Sequence, residues 1–403
     1  MNREEWRASL SLSGLYGLRM LGLFIILPVF AVYAETLPGG DSQALAGLAI
    51  GIYGLAQALL QIPFGWASDR YGRKPVMYIG LLIFAAGSFV AALATSIWVV
   101  ILGRLMQGAG AISAVAIALT ADLTRESQRS KAMAIIGSTI GLAFAVSLVV
   151  GPPLTARIGV EGLFTLTGVL ALAALGVVRW LVPDPAGSAG AVRGPARGRL
   201  VADLAGVLAD REMLRLNYGV LVLHAVLTAL FLVVPVALRD AGLPVADHWH
   251  VYWPVLLASF VLMAPTLGWA ERRARVRGAF LGSIAITLAS IVLLAAGLGS
   301  ITAIAIALAL FFTGFNLLEA FLPSLVSRLA SESMRGTAIG VYSTIQFLGI
   351  FLGGAVGGVL AHTGGLGAVL AFASLLTAAW LAVALRMPPV GRPGSTTSHP
   401  THA

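Results

Sequence analysis

A single acid, Glu319, stands inside an apolar run that covers residues 300–326. A carboxylate placed at the centre of a membrane helix costs about 2.5–3.5 kcal/mol or more to insert, so an acid there is rarely decorative. Glu319 is therefore the first candidate to carry a proton; the competing reading is a structural carboxylate bonded to Asn316 or another neighbour. His224 interrupts a second apolar run, residues 220–234. Imidazole titrates near neutrality and suits proton work, although a lone buried histidine can equally be a satisfied core residue. Arg19 and Arg104 are the cations that fall inside apolar stretches. Guanidinium does not give up its proton in proteins, so each would bias a neighbouring carboxylate or attract an anionic group. Arg19 joins Glu319 and His224 as a proton-coupling candidate, and its side chain is long enough to snorkel to an interface instead. Tyr53, Gln57 and Gln61 recur at i, i+4 and i+8 on one helix face. With Gln107, Asn316 and Gln346, Tyr53 and Gln57 are expected to line a polar cavity, unless they bond helix to helix.

These residues need a membrane to hold them. The chain of 403 residues is 58% hydrophobic and 11% charged, a composition that excludes a soluble globular class. Twelve stretches are long and apolar enough to span, about 11–34, 44–67, 75–95, 97–122, 132–154, 161–182, 213–238, 248–270, 278–298, 300–326, 336–360 and 364–386. With both termini placed in the cytoplasm, all but four of the 26 lysines and arginines lie inside. The exceptions are Arg157 and Arg239 outside, and Arg19 and Arg104 within helices. The net charge of +9 is thus a topology signal spread over short loops and not a nucleic-acid patch.

The longest polar segment, residues 183–212, divides the spans six and six. Residues 1–182 form a first six-helix bundle and 213–386 a second, with 387–403 a disordered cytoplasmic tail. The linker's second part, from Leu200 to Leu208, carries apolar residues at helical spacing and reads as a short amphipathic helix on the inner membrane surface, or as plain linker. The two halves repeat one another. Glu126-Ser127-Gln128-Arg129 matches Glu332-Ser333-Met334-Arg335, and Gly65-Trp66-Ala67 matches Gly268-Trp269-Ala270, at offsets of 206 and 203. An even number of spans per half keeps both copies in the same orientation.

Between the second and third spans lies Gly65-Trp66-Ala67-Ser68-Asp69-Arg70-Tyr71-Gly72-Arg73-Lys74, a charged decapeptide flanked by uncharged runs. The bland account is a basic turn obeying the positive-inside rule. Its spacing G-x-x-x-D-R-x-G-R-K, however, resembles the signature loop of the major facilitator superfamily (MFS). Leu102-Gly103-Arg104-Leu105-Met106-Gln107-Gly108 resembles the motif of proton-coupled members in the fourth helix. Gly151-Pro152 in the fifth resembles part of the antiporter motif, with Thr155-Ala156 where the family has a Gly-Gly pair. Leu18-Arg19-Met20-Leu21-Gly22 and Phe315-Asn316-Leu317-Leu318-Glu319-Ala320 look most like the bacterial YajR-type branch of drug/proton antiporters. That branch carries a soluble domain after its last helix, whereas seventeen residues follow Arg386 here.

The resemblance implies an all-α membrane fold of two pseudo-symmetric six-helix bundles in a bacterial inner membrane. It implies that Asp69 pairs with Arg73 and with Asp122, and faces the start of the eleventh helix near Gly336-Thr337, as a gate. Gly65, Arg70, Gly72 and Lys74 complete that motif, and Arg104, Gln107 and Gly108 the one in the fourth helix. The implied activity is proton-coupled antiport of small amphipathic compounds or drugs by alternating access, with a proton symporter or facilitator of a metabolite as the alternative. A non-transporting sensor is the remaining class. The expected partners are the substrate, protons and the bilayer, with no nucleic acid, and the expected unit is a monomer. No HExxH, GxSxG or P-loop is present, nor any cysteine. An enzyme, an ATP-driven pump, a metal site and a bound cofactor are therefore not expected. His248, His250, His399 and His402 lack metal-like companions.

Overall fold

The computed structural model describes residues 1–183, 197–273, 275–331 and 334–387. The second Glu-Ser pair of the repeat, most of the linker's first part and the expected tail lie outside the described residues. Among those described there is no strand. The helices are α1 (Arg3–Phe24), α2 (Leu27–Ala34), α3 (Gln43–Tyr71), α4 (Arg73–Ala92), α5 (Ile97–Ala109), α6 (Ser113–Asp122) and α7 (Glu126–Gly176). After them come α8 (Arg197–Ala209), α9 (Arg211–Asp240), α10 (Trp249–Arg272), α11 (Val276–Ala296), α12 (Ile301–Leu329) and α13 (Arg335–Leu385).

Local chemistry sets several helix starts. Asn2 and Glu5 form a reciprocal capping box on α1, and Asp210 accepts from two amides at the start of α9. These bonds satisfy donors that the first turn of a helix leaves free.

Ten helical stretches among the described residues are long and apolar enough to cross a membrane, where the sequence predicts twelve. The difference lies in α7 and α13, each 51 residues long. At 1.5 Å per residue such a helix would extend roughly 77 Å, more than twice the hydrocarbon thickness. Each contains one non-helical residue, Gly159 (φ 69°) or Gly365 (φ 72°). In that region of φ a side chain is strained and glycine is not.

Contacts show that α7 doubles back at Gly159. Its beginning meets the N-terminus: Met1 donates to Gln128 Oε1 at 3.3 Å, and Arg125 Nε to Glu5 Oε1 at 2.8 Å. The π-helical turn that follows it returns to the same place, where Arg7 donates to the carbonyls of Trp180 and Leu181 at 3.0 and 3.1 Å. The far end of α2 meets the bend, with the Tyr33 hydroxyl donating to Glu161 at 2.9 Å. In α13, Gly349 and Gly353 lie on the carbonyls of Leu221 and Ala225. The second limb comes back along α9, with Trp380 against Gly219.

The arginine-rich turns thus share one end of the molecule, here the basic end. The opposite end carries Glu35, Gly159, Arg239 and Gly365. The predicted fourth span is also interrupted: α5 and α6 are separated at Gly110–Ile112. The first breaks at Ile25–Ile26, just before Pro28, which cannot continue the α1 ladder.

The two halves meet toward the opposite end. A Cβ built on Gly47 would lie 2.3 Å from the Gly354 carbonyl oxygen, and one on Gly54 would lie 2.5 Å from that of Phe347. This stripe of glycines lets α3 and the first limb of α13 touch backbone to backbone, the small-residue route to close contact in membranes. Arg239 at the end of α9 forms an ion pair with Glu35 after α2. Near the basic end, a Cβ on Gly336 or Gly340 would meet nothing within 4 Å. Gly336 is exposed.

Candidate functional site: an acid–imidazole–amide group

Glu319 on α12 and His224 on α9 come together, with His224 Nε2 3.5 Å from Glu319 Oε1. Nδ1 of His224 lies 3.1 Å from the Val220 carbonyl oxygen. A carbonyl only accepts, so Nδ1 carries a hydrogen and Nε2 presents its lone pair in the neutral ring. Gln346 on the first limb of α13 donates to that lone pair from its amide nitrogen, at 2.7 Å. Three helices of the second half therefore converge on one imidazole. Glu319 Oε1 is buried and accepts no hydrogen bond. The single lone pair of Nε2 is taken by the Gln346 amide, so a proton passes between Nε2 and the carboxyl only when that amide turns away. Without a proton, a carboxylate and a lone pair confront each other in a low dielectric.

Aromatic rings adjoin this group. Phe315, one turn before Glu319, has its ring centroid 6.0 Å from that of His224. Phe144 of α7, in the first half, meets Phe231, Phe312 and Phe315 of the second at 6.1, 5.8 and 6.3 Å, and Phe24 at 5.1 Å. The aromatic cluster bridges the halves beside the acid.

The other predicted residues are placed elsewhere, and several are corrected. Tyr53, Gln57 and Gln107 do not line a cavity: all three are fully buried inside the first half. They bond the two interior arginines. Arg19 donates to Tyr53 Oη at 3.0 Å, to Ser113 Oγ at 2.6 Å, and to Gln57. Arg104 donates to Gln107 Oε1 at 2.9 Å and lies 5.0 Å over the Tyr53 ring, while Gln107 donates to Ser88 at 2.8 Å. A buried guanidinium is costly unless its donors are met; these amides and hydroxyls meet both terminal nitrogens of Arg19 and leave its Nε without a partner. Arg19 thus belongs to a network in the other half from Glu319. Asn316 donates to Ser259 at 3.1 Å, so it is not the partner of Glu319.

The expected Asp69–Arg73–Asp122 set is assembled. Arg73 pairs with Asp69, donates from Nε to Asp122 at 2.9 Å, and donates to Ser68 at 2.7 Å. Gly72 takes φ 95°, a turn that needs glycine. Lys74 donates to the Val182 carbonyl at 2.8 Å, and Arg70 stacks on Trp66 and Tyr71. The predicted approach of Asp69 to Gly336-Thr337 is not made in this state, because the halves join at the far end. Gly65 has only Ala114 nearby, 3.9 Å from a built Cβ. The remaining motif glycines are contact points: a Cβ on Gly108 would stand 2.3 Å from the Tyr53 carbonyl, and one on Gly151 2.7 Å from that of Ile25. Pro152 follows inside α7.

Sequence reasoning missed Phe144 and the Glu35–Arg239 pair. A phenylalanine in an apolar run carries no distinguishing signal. The pair joins residues 204 positions apart.

The model of the Major Facilitator Superfamily matches residues 12–354. The chain belongs to this family. As an MFS member it is a multi-pass membrane transporter. It is 43% identical over 388 residues to the inner membrane transport protein YajR of Escherichia coli (strain K12), covering 96% of this chain and 84% of that one. The multidrug resistance protein MdtH of Yersinia enterocolitica is 27% identical, covering 86% and 82%. The crystal structure of the nucleoside transporter NupG superposes with a TM-score of 0.73 at 14% identity, over 94% of this MFS chain and 99% of that one.

Proposed function

We propose that the chain is a proton-coupled antiporter that exports small amphipathic compounds by alternating access between its two halves. The observation that carries this reading is the Glu319–His224–Gln346 group beside the Phe144 cluster. A carboxyl that can hold a proton or face a substrate's polar end, next to rings that accept an apolar body, makes proton and substrate compete for one place. Competition at a site exposed in turn to each side yields exchange. The name of the MdtH relative supports drug-like substrates. The positive-inside bias supports cytoplasmic termini, so the basic end faces the cytoplasm and the state described is open inward. The Asp69–Arg73–Asp122 set at that end then serves the inner gate when the halves rock closed. The unit is a monomer, and the proton gradient supplies the driving force without a bound cofactor.

The test is flux in liposomes holding the purified chain, with ethidium as probe and an acid-inside pH gradient. Antiport accumulates the dye inside; symport drives it the other way, so the sign separates the two. Glu319→Gln should abolish the response to the gradient. Dye movement by that variant with unchanged pH dependence would refute the role of the carboxyl.

A further inference from the structure

At the basic end of the second half, α10 and α11 leave a groove of about 500 Å³ between them. Its mouth is cationic. The segment 271–277 holds four arginines against one acid. Arg275 lies 5.6 Å over the Trp269 ring, and Arg277 donates to the Leu385 carbonyl at 2.8 Å. The Nε of Arg277 is buried with no hydrogen-bond partner. The first turn of α11 has no side-chain cap, so its amides also point outward at this mouth.

Beyond the mouth the groove changes character. Gly278 and Gly282 form an open floor where a Cβ would meet nothing within 4 Å, and Ile286 and Leu317 line the wall further in. A cationic opening with unmet donors at the membrane interface, leading to an apolar slot along a helix, fits a molecule with an anionic head and a hydrocarbon tail.

We propose that this groove binds an anionic phospholipid of the leaflet at the basic end. Arg275, Arg277 and the first turn of α11 hold the phosphate headgroup, and one acyl chain lies along Gly278 and Gly282 toward Ile286. A zwitterionic lipid lacks the net charge, and free phosphate lacks the chain that fills the slot. The exposed position of Arg275 and its stacking on Trp269 give the interface an aromatic anchor at headgroup depth.

The experiment is native mass spectrometry of the purified full chain in detergent, with phosphatidylglycerol, phosphatidylethanolamine or inorganic phosphate added. The wild type should retain phosphatidylglycerol in preference to phosphatidylethanolamine. Arg275→Gln with Arg277→Gln should lower that retention about 30-fold, at roughly one interfacial arginine's contribution each. Arg275→Gln alone removes an exposed side chain, leaves the fold intact, and should cost about 5-fold. Gly282→Leu, which keeps every charge, should also weaken retention by filling the floor. Arg157→Gln, an exposed arginine at the opposite end, should have no effect. Equal retention by the double variant, equal retention of the zwitterionic lipid, or displacement of the lipid by inorganic phosphate would overturn the assignment.

Discussion

Replacing Gly354 by alanine should push the two halves apart at the end where they now meet. A Cβ there would stand 2.6 Å from the Gly47 carbonyl oxygen and 2.7 Å from both the Cα and the nitrogen of Gly51. Those atoms are backbone on α3, with no side chain to swing aside. Restoring ordinary contact requires a separation of about 0.8 Å at a close-packed helix interface. Overpacking of this kind costs about 1–3 kcal/mol. The penalty applies only to the state in which α3 and α13 touch, so it shifts the equilibrium away from that state by about 5- to 150-fold. The chain has no cysteine, so label pairs can be introduced without removing native residues. Spin labels at Thr36→Cys and Ala241→Cys, flanking the Glu35–Arg239 pair, should move apart in electron–electron distance measurements. A second pair, Tyr71→Cys and Arg335→Cys, should approach as the basic end closes. Gly353→Ala is the control: its Cβ would strike the Ala225 carbonyl at 2.1 Å within one half, costing stability without moving either pair. Unchanged distances in Gly354→Ala would refute the glycine stripe as the contact that sets the state.

Two further outcomes follow from the polar groups. Arg73→Gln loses charge-assisted bonds to Asp69 and Asp122 and should lower stability by about 1–3 kcal/mol, read as a fall in thermal unfolding temperature in detergent; Arg73→Lys should not restore it, since one ammonium cannot span both acids and Ser68. Gln346→Leu removes the amide that donates to His224 Nε2 and should change the pH profile of gradient-driven flux while leaving the folded fraction unchanged; an unaltered profile would exclude the amide from the proton path.

How far the sequence foretold this arrangement differs by residue. Glu319 and His224 stood out because each is a lone ionisable group in apolar surroundings, and the structure sets them 3.5 Å apart. Their third partner, Gln346, is in the sequence one of several amides that could line a cavity wall. Nothing local distinguishes a glutamine that bonds an imidazole two helices away from one that bonds its neighbour. Asp69 and Arg73 lie on either side of the turn at Gly72, and their pairing, like that with Asp122, is what the resemblance implies and not what spacing along one helix dictates. For Tyr53, Gln57 and Gln107 the choice between cavity wall and helix-to-helix bonding stays open in the sequence for a physical reason. Periodicity placed Tyr53 and Gln57 on one face, but could not say whether that face met water or two buried guanidiniums. Gly47, Gly51 and Gly54 carry no signal of their own in the sequence, because a stripe acquires meaning only from the helix laid against it. The break in the expected fourth span comes just after its motif, at Gly110–Ile112, where the apolar pattern runs on without interruption.

The single-residue corner at Gly365 has a mechanical consequence. One limb of α13 forms the seam with α3, and the other lies against α9 through Trp380. A flexible connection would let the seam slide while the outer limb stayed still. With one glycine as the joint there is no slack, and any displacement at the seam is transmitted into the far side of the same half. The second half is thereby built to tilt as a lever, with force applied at its inner edge carried to its lipid-facing rim.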